Sequence, residues 1–99
     1  MLIEEAPQGE SRETRLRRLA MRSMRRGIKE MDVILSRYAE LHLADLDEAM
    51  LDSYDALLRE NDHDLYYWTS GVQEPPAHFA PLVGQIRAML AAQGGAVPR

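Results

Sequence analysis

Cysteine is absent from this chain of 99 residues, so it has neither a disulfide nor a thiolate metal site. That fits a reducing compartment. No apolar run approaches the roughly 18 residues of a spanning helix, and membrane insertion is not expected. A signal-peptide apolar core is missing too. So are alternating β-branched runs and Asn-Gly or Asp-Gly hairpin turns, so no strand signal competes with helix. Catalytic patterns are equally scarce. There is no Ser-His-Asp order and no Gly-rich phosphate loop. His42, His63 and His78 are the only histidines, and none has a ligand partner at zinc-motif spacing. Asp62 and Asp64 bracket His63, but on a turn they read as helix caps rather than an acid/base pair. A chain this short buries only about 60–65% of its unfolded surface, which leaves little room for a deep cavity. The protein is therefore expected not to be an enzyme.

Charge is present but segregated. The net charge is −4, yet Arg12, Arg15, Arg17, Arg18, Arg22, Arg25, Arg26 and Lys29 crowd one short stretch. From Glu30 onward the chain is mostly acidic. An Arg-rich start raises the question of a mitochondrial presequence, which Glu4, Glu5, Glu10 and Glu13 argue against because such leaders avoid acids. The expectation is a bacterial-type cytoplasmic protein. The Arg cluster itself reads as a solvated face, the usual fate of charge runs. A rival reading is a small nucleic-acid-binding or regulatory helical protein gripping phosphates through this first helix. The acidic remainder, with a pI of about 5.3, weakens it, and no nucleic-acid partner is expected.

Apolar spacing predicts a compact, single-domain, all-α five-helix bundle. Residues 1–11 are expected as a flexible tail, 12–93 as the helical domain and 94–99 as a second flexible tail. Ser11 would cap a first helix over 12–25, with Leu16, Leu19, Ala20 and Met24 on its apolar side. A second helix over 28–42 carries Ile28, Met31, Ile34, Leu35, Tyr38 and Leu41. Asp45 and Glu48 have capping-box spacing and would open a third over 46–60, with Leu46, Ala49, Met50, Tyr54, Leu57 and Leu58 inward. A short fourth over 63–70 carries Leu65, Tyr66, Tyr67 and Trp68, with Gly71 at C′. Trp68 should be core and one of the two tyrosines should face water. The last helix, 79–92, tolerates Pro81 only in its first turn.

The most informative stretch is Arg25-Arg26-Gly27-Ile28-Lys29-Glu30. Arg26 and Glu30 are four apart and would share one helical face, with Gly27 leaving bare backbone beside it. Gly inside a helix costs roughly 1 kcal/mol against Ala. Either a tight bend between two helices or a closely approaching partner would offset that cost. The bland alternative is a helix corner with an exposed ion pair worth under about 1 kcal/mol.

Arg26-Gly27-Ile28-Lys29-Glu30 resembles the Arg-Gly-x-x-Glu signature of the small succinate dehydrogenase flavinylation factors, the SdhE-type FAD assembly factors. Met31-Asp32 and Leu35 resemble the Leu-Asp-x-x-Leu continuation. Tyr54, Leu57 and Leu58 resemble an aromatic-x-x-Leu-Leu segment. Asp62, Asp64, Leu65 and Trp68 resemble Asp-x-Asp-Leu-x-x-Trp, and Gly71 and Pro75 follow in order. The resemblance covers about residues 14–90. Met31 departs from the usual Leu, and Thr69-Ser70 from the usual apolar residue. The resemblance implies an assembly factor that docks on the flavoprotein subunit of succinate dehydrogenase and promotes covalent attachment of FAD to a histidine there. Fumarate reductase flavoprotein subunits are implied as further clients. No cofactor would be held stably on this chain, FAD being handled on the partner. The expected partner-binding residues are Arg25, Arg26, Gly27, Glu30 and Asp32, on a monomer.

Overall fold

The computed structural model describes residues 9–93, and most of both expected tails lies outside the described residues. Five α-helices follow in order: α1 (Arg12–Arg22), α2 (Lys29–His42), α3 (Glu48–Leu57), α4 (Asp62–Thr69) and α5 (Ala80–Ala92). Short 3-10 turns at Leu43–Asp45 and Ala77–Phe79 precede α3 and α5. The described residues contain no strand, and the all-α expectation holds.

The starts of α1, α3 and α4 follow capping chemistry, whereas α2 and α5 begin without a side-chain cap. Ser11 accepts the Thr14 N–H and opens α1 as expected. The expected capping box does not form. Asp45 closes the 3-10 turn, and Asp47 is the N-cap of α3, accepting the Met50 N–H at 2.8 Å. The 3-10 turn consumes the residues that spacing assigned to the start of α3. Asn61, rather than Asp62 or Asp64, caps α4 by accepting the Asp64 N–H at 2.9 Å. Gly71 stands just past α4 with φ +85°, the left-handed geometry a helix end favours. Pro81 lies in the first turn of α5, where its missing N–H costs nothing. Helix α1 ends at Arg22, three residues earlier than the periodicity suggests, for reasons that lie in the loop after it.

The core is built around α2, whose Met31, Ile34, Leu35 and Tyr38 are all fully buried. It touches α1 and α4, α4 packs on α5, and α3 meets α5. Trp68 is buried as expected, its ring 5.9 Å from Phe79, while Tyr67 faces water. Leu51, fully buried, belongs to the core although the expected stripe of α3 passes it over. Arg87 of α5 donates through Nε to the Trp68 carbonyl at 2.6 Å and through Nη2 to the Gln73 carbonyl at 3.1 Å. Those two bonds tie the Pro-rich connection back onto the bundle.

Within the Arg cluster, Arg17 and Arg25 are solvated, but Arg12, Arg15, Arg18 and Arg22 are not a bare solvated face. These four form a ladder joining α1 to α3. Arg12 meets Glu48 at 2.6 Å, Arg15 bridges Glu48 and Asp52, and Arg18 and Arg22 each reach Asp55 at 2.9 Å. The cations recur at three- and four-residue steps, one line along α1. The outer rung is exposed and worth under about 1 kcal/mol. The Asp55 rung is largely buried. Burial alone would raise the Asp55 carboxyl, but the Arg18 hydrogen bond and the fields of Arg18, Arg22 and Arg59 outweigh it and hold it below the usual range. Arg18 also donates to Glu10 at 2.8 Å, and that bond lowers the Glu10 carboxyl.

Asp55 titrates near 3.9 when unfolded and lower when folded, so its stabilisation is complete above about pH 4 and lost as pH falls through the folded value. Asp55→Asn should cost about 2–4 kcal/mol in urea unfolding at pH 7, below a fully buried pair because both guanidiniums retain some water. The deficit should shrink below about pH 3; an equal deficit at both pH values would deny Asp55 its charge role. Trp68→Ala should cost about 3–5 kcal/mol by the same measurement. A variant that unfolds like wild type would contradict the ring's place in the core.

Candidate functional site

The loop between α1 and α2 carries the signature, and three anchors set its path. Ser23 is fully buried; its Oγ lies 2.8 Å from the Leu19 carbonyl and 2.5 Å from the Tyr54 hydroxyl. Burial raises the Tyr54 phenol, which stays neutral and keeps its hydrogen. Arg25 then adopts φ +58°, a left-handed conformation uncommon for a residue with a side chain. Its N–H donates to Asp32 Oδ1 at 2.8 Å. The third anchor is Asp62, in the first turn of α4. Its Oδ1 accepts Arg26 Nε at 2.8 Å and its Oδ2 accepts the Gly27 N–H at 2.6 Å.

Arg26 therefore does not share a helical face with Glu30. It precedes α2 and turns inward. Beyond Asp62, its guanidinium donates to the carbonyls of Leu58 at 3.1 Å, Glu60 at 3.3 Å and Arg22 at 3.3 Å. One side chain thus satisfies carbonyls at the ends of both α1 and α3, which have no helical partner. Gly27 marks the bend, as one of the two expectations had it, but the left-handed residue is Arg25. Gly27 has a different constraint. A Cβ there would stand 2.9 Å from Asp62 Oδ2, so any larger residue must shift that carboxylate.

The remaining signature residues split by role. Arg25 and Glu30 are exposed, and neither side chain has a hydrogen bond or ion pair among the described residues. Asp32 is half-buried and serves the loop rather than the surface. Beside Gly27 opens a polar notch of about 260 Å³, lined by Arg22, Met24, Arg25, Arg26, Gly27 and Asp62. Arg22 is engaged by Asp55 and Arg26 by Asp62, so Arg25 gives this lining its positive balance. Met24, 48% exposed, adds flexible apolar surface to the lining. The site thus presents a fixed backbone bend, a free cation and a free carboxylate. It has no nucleophile–base pair, and no group of described residues could hold a metal ion. Sequence reasoning counted Asp62 among helix caps and missed its clamp. Its signal was the resemblance to the Asp-x-Asp-Leu-x-x-Trp segment, but nothing in spacing tied it to Arg26.

Comparison with known proteins identifies a family. A family described as the flavinator of succinate dehydrogenase matches residues 17–90. A protein named succinate dehydrogenase assembly factor 2, mitochondrial, from Meyerozyma guilliermondii is 52% identical over 62 residues, 63% of this chain and 46% of that protein. Its counterpart in Yarrowia lipolytica is 48% identical over 69 residues, 69% of this chain and 48% of that protein. The chain spans about half the length of these curated relatives. Their names overturn the expected bacterial-type cytoplasmic placement, since both are mitochondrial proteins. The acids at Glu4, Glu5, Glu10 and Glu13 that supported it all precede the matched residues. With the match running from residue 17 to residue 90, across the signature loop and all of α2 to α4, this chain belongs to the succinate dehydrogenase flavinator and assembly factor family.

Proposed function

We propose that this chain binds the flavoprotein subunit of succinate dehydrogenase and promotes covalent attachment of FAD to a histidine of that subunit. The observation that carries the reading is the family match over a fold whose signature loop is held rigid from within while Arg25, Gly27 and Glu30 stay open to a visitor. Fumarate reductase flavoprotein subunits are a second client class in the same reading. The factor acts as a monomer, is not itself a catalyst and holds no cofactor stably.

The flavin supplies its own electrophilic chemistry once it sits against the client histidine. What remains for a helper is to favour the client conformer in which the two are aligned. That is a population shift, and it requires tighter binding to the aligned conformer than to others. Charge-assisted hydrogen bonds from Arg25 and to Glu30 suit this purpose. Arg26 and Asp32 contribute by fixing the loop that presents them. Such a surface needs no cavity, and release of the product follows from moderate affinity.

The nucleic-acid reading loses the feature that motivated it. Arg12, Arg15, Arg18 and Arg22 are engaged by the chain's own carboxylates rather than offered to phosphates. A basic stripe already neutralised in the fold gives little counterion release.

Two experiments test the reading. Glu30→Ala should weaken binding to the apo-flavoprotein by roughly 5–30-fold, about 1–2 kcal/mol, with its melting temperature little changed, because the side chain is exposed and makes no hydrogen bond or ion pair among the described residues. Titration calorimetry with the purified subunit reads this directly; unaltered affinity removes Glu30 from the interface. Gly27→Arg should abolish covalent flavin on a coexpressed client, read as in-gel fluorescence after denaturation. Gly27→Ala, made alone and in an Asp62→Ala background, separates two causes through their coupling. If the alanine weakens client binding only when Asp62 is present, Gly27 serves the clamp. An equal further loss without Asp62 assigns it to close approach by the client.

A further inference from the structure

A second surface lies at the opposite end of α2. There a groove of about 650 Å³ opens between α2 and α5. Tyr38 and Leu46 form its floor, with Leu41, Ala88 and Met89 along its walls. Burial pushes the Tyr38 phenol up to about 12, so it remains a donor to Gln85 Oε1 at 2.8 Å. Leu41 is 48% exposed, high for a leucine inside the predicted apolar stripe. Asp45 is the carboxylate of the lining and has no partner among the described residues.

We propose that this groove is a second docking point for the same flavoprotein client, seating one of its aliphatic or aromatic side chains with a Lys or Arg beside it to meet Asp45. This rests on the function proposed above. Three observations support it. The first is alignment. Leu41 follows Glu30 by eleven residues, about three helical turns, so the two point the same way to within about 20° and stand about 16 Å apart along the axis. Arg37 lies on the same line between them. The second is charge. Lys29, Glu30, Arg37 and Glu40 are exposed along α2 and unpartnered among the described residues, whereas the α1 cations are engaged. The outer face of α2 thus keeps its charges available from the signature to the groove. The third is size. A polar notch of about 260 Å³ has Met24 as the one apolar side chain of its lining, while specific interfaces bury about 800 Å² per partner around larger apolar anchors. The groove supplies the anchor one helix length away, on the same face.

Leu41→Glu places a charge at the groove mouth without entering the core. Titration against the apo-flavoprotein should show at least tenfold weaker binding with an unchanged melting temperature. Asp45→Lys should give a smaller loss that fades as salt is raised. Should Leu41→Glu melt lower, Ala88→Glu on the facing wall, an exposed position, replaces it. Wild-type affinity in Leu41→Glu, with Glu30→Ala still weakened, overturns the groove and leaves the proposed function standing. Failure of the wild-type chain to bind the subunit overturns both. A wild-type dimer in sedimentation that Leu41→Glu dissociates would give the groove to a second copy and overturn the proposal. So would a lower melting temperature on removing residues 94–99 together with unaltered client affinity in Leu41→Glu, which would give the groove to that segment.

Discussion

One carboxylate holds the functional loop together. Asp62 uses both oxygens, one on the Arg26 guanidinium and one on the Gly27 N–H. A charge-assisted, two-point contact of this kind is among the stronger single interactions available to a small domain. It fixes the loop against α4, and through Arg26 it also closes the carbonyl ends of α1 and α3. The left-handed backbone at Arg25 costs energy in isolation, and such strain persists only where the surroundings determine it. Here Asp32 on one side and Asp62 on the other do so. The signature therefore divides into an inner part that shapes the bend and an outer part that can meet a partner.

The same division governs charge across the molecule. Arginines on α1 and acids on α3 neutralise one another across an interface within the chain. Charges on the outer face of α2 do not. Exposed ion pairs contribute little to stability, so an unpartnered charge on a surface costs little and stays available for another protein. A helper that must bind and then leave gains from this layout. Arg25 and Glu30 make no side-chain bond within the fold, so a contact made through them would leave the loop's own hydrogen bonds in place.

Much of the architecture is legible from the sequence because it is local. The helical stripes of α2 and α5, the Ser11 cap, Gly71 after α4, Pro81 in a first turn and the buried Trp68 all follow from spacing and backbone preference within one element. What is not legible is long-range. Arg26 and Asp62 are 36 positions apart, and no periodicity links them. The Arg ladder needs the placement of α1 across α3, so the same residues read equally well as a solvated face. Arg26 and Glu30 share a face only on one continuous helix, and the backbone from 23 to 28 is not helical. Asp45 and Asp47 are equivalent as caps in composition, and the 3-10 turn at Leu43–Asp45 decides between them. Location was misjudged for a different reason, since acids near one end of the chain say nothing of the compartment in which its relatives work.

Two departures from the family pattern meet inside the structure. Met31 of α2 and Thr69 of α4 are both buried, with the Thr69 hydroxyl 3.8 Å from the Met31 sulfur. A buried hydroxyl is costly unless it is hydrogen-bonded, and Thr69 donates back to the Leu65 carbonyl at 2.9 Å within its own helix. The polarisable thioether is a better neighbour for that oxygen than a leucine methyl, and its flexibility fills the space left by the smaller threonine. The two changes therefore read as one compensated change. Their position matters, because Met31 directly follows Glu30 and Thr69 stands on the helix that carries Asp62. Both residues are buried, and neither lines the notch. The contact between α2 and α4 thus accommodates a thioether and a hydroxyl without involving any residue that lines the notch.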